Sequence, residues 1–186
     1  MQEGEHVLKL LKEAKKAFTD SDSYELRELS NETIHSAAVY QDPDNIIVAV
    51  LLYSLSKLIE REHYKEMPGW DGFYLALLKN WEAAIKSLEK KDIDSFREYM
   101  GEIREAVNKI SGDLRNYIGE VFRKAEINKA FKLYEHGLSS EQTANLLGVS
   151  LWDLASYIGQ STISEAKLGD TMPVRDRVKL VEDMFK

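Results

Sequence analysis

This chain of 186 residues contains no cysteine. That excludes disulfides, thiolate metal sites and a cysteine nucleophile, and it suits a reducing compartment. Only 3 prolines and 10 glycines interrupt it, and two-residue alternation of Val, Ile and Thr hardly occurs, so the strand signal is missing. Long hydrophobic runs are missing too. The most apolar stretch, "NIIVAVLLYSLSKLI", is too short to span a bilayer and carries Ser54, Ser56 and Lys57, which predicts a buried helix and no membrane segment. The opening "MQEGEHVLKLLKEAKKAF" mixes charge with apolar residues at helical spacing and has no signal-peptide core. A cytoplasmic protein is expected. Nor is there an excess of basic charge: 25 Lys and Arg stand against 32 Asp and Glu, a net charge of -7. That argues against a generally basic, nonspecific binder of nucleic acid. Residues 121–186 carry equal numbers of acidic and basic side chains, so the whole acidic excess lies in residues 1–120.

What remains is a chain rich in Ala, Leu, Glu and Lys at helical periodicity, with 44% hydrophobic residues to fill a core. The pattern predicts an all-α fold: an N-terminal antiparallel helical bundle over 1–120, a helix-turn-helix unit over 121–165 and a C-terminal amphipathic tail helix over 166–186. A first helix is expected from Gly4 to Phe18 and a second from Ser23 to Tyr40, with "TDSDS" ending one and capping the next. Asp42 is placed to cap a third helix and Pro43 to occupy its first position, where a missing N–H costs nothing. That helix is expected to run to about Lys65 at the centre of the bundle. Asp71 is the expected cap of a fourth helix. Beyond it, Ile93, Phe96, Met100, Ile103, Val107, Ile110, Leu114, Tyr117 and Val121 form a seam spaced alternately three and four. One long helix along its own bundle fits this seam better than a coiled-coil homodimer, because the flanking positions show no clean charge code; "SGD" at 111–113 is a point where it can break.

The most specific motif is "SSEQTANLLGVSLWDLASYIG", residues 139–159. Ser139 or Ser140 can cap a helix, with Glu141 and Gln142 close behind. Ala144 supplies the small residue where two helices touch, and Gly148, four residues on, can take the turn conformation with positive φ. Leu147, Val149 and Leu154 supply apolar contacts, and Ser150 can cap the second helix. In these positions the segment resembles the helix-turn-helix superfamily. With its leading helix "INKAFKLYEHG" the resemblance covers about 40 residues. It implies DNA binding. By that reading Arg123, Lys124, Lys129, Lys132 and Lys167 are the phosphate contacts, and Ser140, Gln142, Ser150 and Ser156 are weak polar readers of double-stranded DNA.

The recognition helix departs from the superfamily's pattern. Its base-reading positions hold Ser150, Leu151, Trp152, Asp153, Ala155 and Ser156; none is Arg, Lys, Asn or Gln, and Asp153 faces phosphate unfavourably. Trp152 lies out of phase with Leu154 and Ile158 and is expected to be exposed, as interface anchors often are. The tail adds an amphipathic face of Val174, Val178, Val181 and Phe185. "LGVSLWDLASYIGQSTI" with such a tail is similar to small archaeal antitoxin-type proteins that accompany PIN-domain nucleases. That resemblance implies operator binding by the helix-turn-helix and toxin binding by the tail. Two functions are therefore open: a regulator acting on DNA, or an interaction module that presents Leu151, Trp152 and the tail residues to a protein such as a toxin-like nuclease.

No catalytic motif occurs, so no enzyme, cofactor or metal is expected. His35, Asp42 and Asp44 match no ligand spacing and read as residues around a helix start. Lys57, with Ser54 and Ser56, reads as the polar edge of the third helix. Its alternative is the lining of an anion pocket.

Overall fold

The computed structural model describes residues 3–40, 42–110 and 112–165. Among the described residues there are eight α-helices, one 3-10 segment and no strand. The fold is all-α. Its helices are α1 (Gly4–Thr19), α2 (Ser23–Tyr40), α3 (Pro43–Ile59), α4 (Trp70–Glu89), α5 (Ile93–Lys109), α6 (Gly112–Glu135), α7 (Ser140–Leu147) and α8 (Leu151–Glu165). Lys167, Val174, Val178, Val181 and Phe185, and with them the expected tail helix, lie outside the described residues.

Side-chain caps fix most of the starts. Asp22 accepts from the Glu25 amide at 2.9 Å at the head of α2, and Asp42 accepts from the Asp44 amide at 3.0 Å ahead of Pro43. Asp92 does the same for α5 through the Ser95 amide. Each such bond satisfies one of the donors that a helix N-terminus leaves without an intrahelical partner. Two expected boundaries move. The third helix stops at Ile59 rather than Lys65, and a 3-10 segment, Glu62–Glu66, follows it. The fourth helix is not capped by Asp71: its N-cap is Gly69, whose φ of 94° is open to glycine, and Asp71 sits in the first turn instead. There its charge still favours the helix dipole.

The three-four seam is broken as well. Lys109 ends α5, Ile110 is extended, and α6 starts anew at Gly112. Phe96, Met100, Ile103, Val107 and Ile110 on the first piece and Leu114 and Val121 on the second are all buried in the chain's own core. The seam is thereby used within one chain.

Two apolar clusters result. The first joins α1 through the first half of α6, with Trp81 fully buried and its indole N–H donating to the Leu11 carbonyl at 3.2 Å. The second is smaller and crosses the expected boundary between residues 120 and 121. It brings Ile34 and Ala37 of α2, and Ile46, Ala49 and Val50 of α3, against Ala125, Ala130, Phe131 and Leu133 of α6 and Ala144, Leu147 and Leu154 beyond. The central helix α3 contributes to both, which explains why it is apolar nearly all round.

Charge crosses the first core's rim at one buried point. Asp44, 3% exposed, receives a two-pronged hydrogen bond from Arg97 of α5, Nε and Nη2 each at 2.9 Å. Burial pushes the Asp44 carboxyl up, but the opposing hydrogen bonds and charges, those of Arg97 foremost, hold it below its ordinary value. A folded-state value below the unfolded one means that the stabilisation is complete above the unfolded pKa of 3.8 and is lost as pH falls through the lower value. Arg97→Met should therefore lower the melting temperature at neutral pH, and thermal scans at falling pH should show the two proteins converging.

Gly148 adopts φ 66° as the C-cap of α7. Its Cβ position is sterically open, so the backbone conformation alone resists substitution. Gly148→Val should cost about 1–3 kcal/mol in chemical denaturation, the scale of a strained backbone position.

Candidate functional site

The expected helix-turn-helix segment folds as two short helices around a left-handed glycine, stacked on the second half of α6. At the start of α7 a complete capping box forms: the Ser139 hydroxyl accepts from the Gln142 amide at 3.1 Å, and the Gln142 side-chain oxygen accepts from the Ser139 amide at 3.3 Å. Such a cap is worth about 1 kcal/mol. Four residues after buried Ala144, Gly148 turns the chain, and the Val149 amide closes the turn on the Ala144 carbonyl at 3.1 Å. The Ser150 hydroxyl then accepts from the Asp153 amide at 3.0 Å and starts α8. Leu154 is fully buried beneath it.

Three contacts hold α8 on α6. The Arg123 guanidinium donates to Asp153 at 3.2 Å. The Asn128 amide donates to the Tyr157 hydroxyl at 3.0 Å, and Phe131 meets the Tyr157 ring edge-on with centroids 5.4 Å apart. The N-terminal end of α8 is left outward, with Leu151 53% and Trp152 81% exposed. The other two tryptophans, Trp70 and Trp81, are buried.

The expected DNA contacts fare unevenly. Gln142 and Ser150 are exposed, but their side chains are engaged in the caps just described. Ser140 and Ser156 are exposed and clear of those caps. Arg123 is bound to Asp153, Lys124 pairs with Glu120 at 2.6 Å and Lys132 with Glu135 at 2.7 Å, all near the surface. Lys129 does not fit the role assigned to it: it is completely buried and cannot reach phosphate. Ala125, Lys129 and Leu133 stand four apart on α6, and all three face inward.

The Lys129 ammonium donates to the Asn31 side-chain oxygen of α2 at 3.0 Å and lies over the Tyr53 ring of α3, 4.5 Å from its centroid. It thus ties α6 to both helices of the α2–α3 pair. Burial, with help from nearby Lys132, lowers its pKa from the ordinary 10.5 to about 7, against the opposing charge of Glu28. Tyr53 is shifted the other way, upward, mainly by its own burial.

The remaining sequence candidates separate. His35 packs edge-on against His136 with centroids 5.2 Å apart, while Asp44 belongs to the Arg97 pair. No three His, Asp or Glu side chains among the described residues converge as a metal site would require. No described helix is long and apolar enough to cross a membrane.

The burial of Lys129 makes stability depend on pH. Between about 7 and 10.5 the unfolded chain holds the proton that the folded chain has released, so folding strengthens as pH rises through that window. Lys129→Met removes the cost of burying the amine and forfeits one hydrogen bond to an exposed asparagine. The variant should be more stable near pH 7 by on the order of 2 kcal/mol in denaturant titrations, with the difference shrinking towards pH 10.

Comparison with protein-family models, with curated proteins and with solved structures finds no match to this chain.

Proposed function

We propose that this chain is a non-enzymatic regulatory protein that works by occupancy, its helix-turn-helix unit presenting the first turn of α8 to a protein partner. The observation that carries this reading is Trp152, 81% exposed beside Leu151, itself 53% exposed, at the tip of the helix. A large ring left in water next to a second apolar side chain has the composition of an interface anchor, and truncating such anchors commonly costs about 2 kcal/mol or more. A toxin-like nuclease is the kind of partner to which the sequence resemblance points.

The cations near this face support the same choice. Phosphate binding needs side chains free to displace counterions. Here Arg123, Lys124 and Lys132 each lean on a carboxylate, Lys129 is inside the core, and Asp153 adds negative charge to α8 itself. Direct base reading would fall to Ser140, Ser156 and apolar side chains, which discriminate few base edges.

A salt-dependent titration with duplex DNA and a partner-binding assay separate the two roles. The expected outcome is weak DNA binding even at low salt, with Trp152→Ala reducing partner affinity by about 2 kcal/mol while thermal stability stays unchanged. Docking should also shift the emission of the exposed tryptophan to the blue. Tight, steeply salt-dependent binding to a particular duplex, indifferent to Trp152→Ala, would instead establish the DNA-binding regulator.

A further inference from the structure

A groove of about 470 Å³ opens where α8 crosses the second half of α6 and the end of α3. Its walls combine two features seldom found together on an open surface. Three tyrosine rings, Tyr53, Tyr117 and Tyr157, face it from three different helices. Among them stand Lys57, Arg61 and Lys124, against the carboxylates of Glu120 and Asp153.

The charges are not equivalent. Lys57 is held by Glu60 at 2.7 Å, Lys124 by Glu120 at 2.6 Å, and Asp153 by Arg123 at 3.2 Å. Arg61 forms no ion pair among the described residues and is exposed at the groove. The lining therefore carries one positive charge beyond those already paired, on a planar guanidinium whose geometry suits a carboxylate in two-pronged contact. Polar groups for orientation are also present. Asn128 donates to the Tyr157 hydroxyl, which leaves the proton of that hydroxyl to point elsewhere. The Tyr53 phenol is raised by burial above its ordinary value of 10.0 and stays protonated at neutral pH, a donor and not a charge.

We propose that this groove is a binding site for a small planar aromatic molecule bearing a single carboxylate, its ring laid between Tyr53 and Tyr157 and its charge met by Arg61. The volume lies towards the small end of ligand pockets, which run from about 300 to 1,000 Å³, and so suits one or two fused rings. Aromatic walls favour a ring over an aliphatic chain through offset or edge contacts. The site assigns Lys57 to the lining of an anion pocket, and Asp153, Ser156, Tyr157 and Gln160 of α8 place the occupant against the same helix that carries Trp152. The groove adjoins the first turns of α8 through Asp153 and Ser156 but is not lined by Leu151 or Trp152, so this inference does not depend on which macromolecule those two residues meet.

Isothermal titration calorimetry of the full chain with naphthalene-2-carboxylate, and with its neutral isostere naphthalene-2-carboxamide, tests the site. The carboxylate should bind at millimolar concentration or below and about tenfold more tightly than the amide, the scale of one charge-assisted hydrogen bond. Arg61→Gln, a change at the surface, should bring the carboxylate down to the level of the amide. Arg115→Gln, also exposed on α6 but outside the groove, should leave both unchanged. Absence of binding by either probe at millimolar concentration would overturn the site. Equal binding of the two probes, or a carboxylate affinity indifferent to Arg61→Gln, would overturn the assignment of the anion to Arg61.

Discussion

The helix α6 belongs to two cores at once, as α2 and α3 also do, and the seat of the last two helices follows from that constraint. The first half of α6 sends Leu114, Ile118 and Val121 into the larger cluster; the second half sends Ala125, Ala130, Phe131 and Leu133 into the smaller. An α-helix is stiff over this length, so the two halves cannot rotate independently. The α7–α8 pair is consequently not a separate bead on a linker. It is seated on the bundle through α2 and α3, whose Ile34, Ala37, Ile46, Ala49 and Val50 complete its core.

Seating the unit this way buries Lys129. A lysine stem is apolar over four carbons and can pass through a core if its head finds partners, and here the head meets the Asn31 oxygen and the face of Tyr53. Replacing the amine by an aliphatic group would satisfy packing at lower cost, as is common for buried charge. Its presence instead adds a directional contact between α6 and the α2–α3 pair to the apolar packing of the same helices. The Tyr53 ring that receives the ammonium is also part of the groove lining. The groove wall thus shares a residue with the seat of α6.

Much of this architecture was legible in the sequence, because it follows from local rules. Asp42 and Pro43 declare a helix start whatever surrounds them, and Ser139 with Gln142, or Ala144 with Gly148, are short-range signals whose geometry is set within a few residues. What depended on distant parts of the chain was not legible. The seam from Ile93 to Val121 keeps its spacing throughout, and only "SGD" at 111–113 marks locally the break that falls at Ile110 and Gly112; that both pieces are then buried within one chain depends on the distant helices they meet. Lys129 reads as a surface cation by residue type. The row Ala125, Lys129, Leu133 held the contrary signal, but only the packing of α2 and α3, distant in sequence, makes that row an inward face. Tyr134, the next residue, is 41% exposed, because the buried arc of α6 passes through Leu133. The groove was the least legible feature, since its three tyrosines come from three helices, α3, α6 and α8, and Arg61 from the turn after α3.

The distribution of apolar surface along α8 then limits what the unit can recognise. Leu154 is committed to the core, and Tyr157 to Asn128 and Phe131. The outward residues that remain near the start are Leu151, Trp152, Ala155 and Ser156. A major-groove reader needs side chains that both donate and accept along this edge, with unpaired cations at its flanks for phosphate. This edge offers an indole and a leucine, flanked by cations held to carboxylates. Removing such surface from water is favourable against an apolar slot and gains little against a hydrated groove edge. The contacts of Asp153 and Tyr157 with α6 fix how α8 presents that edge, so under the proposed reading a protein partner would find the indole already positioned. Rigid presentation of a few apolar side chains is how a small interface reaches useful affinity.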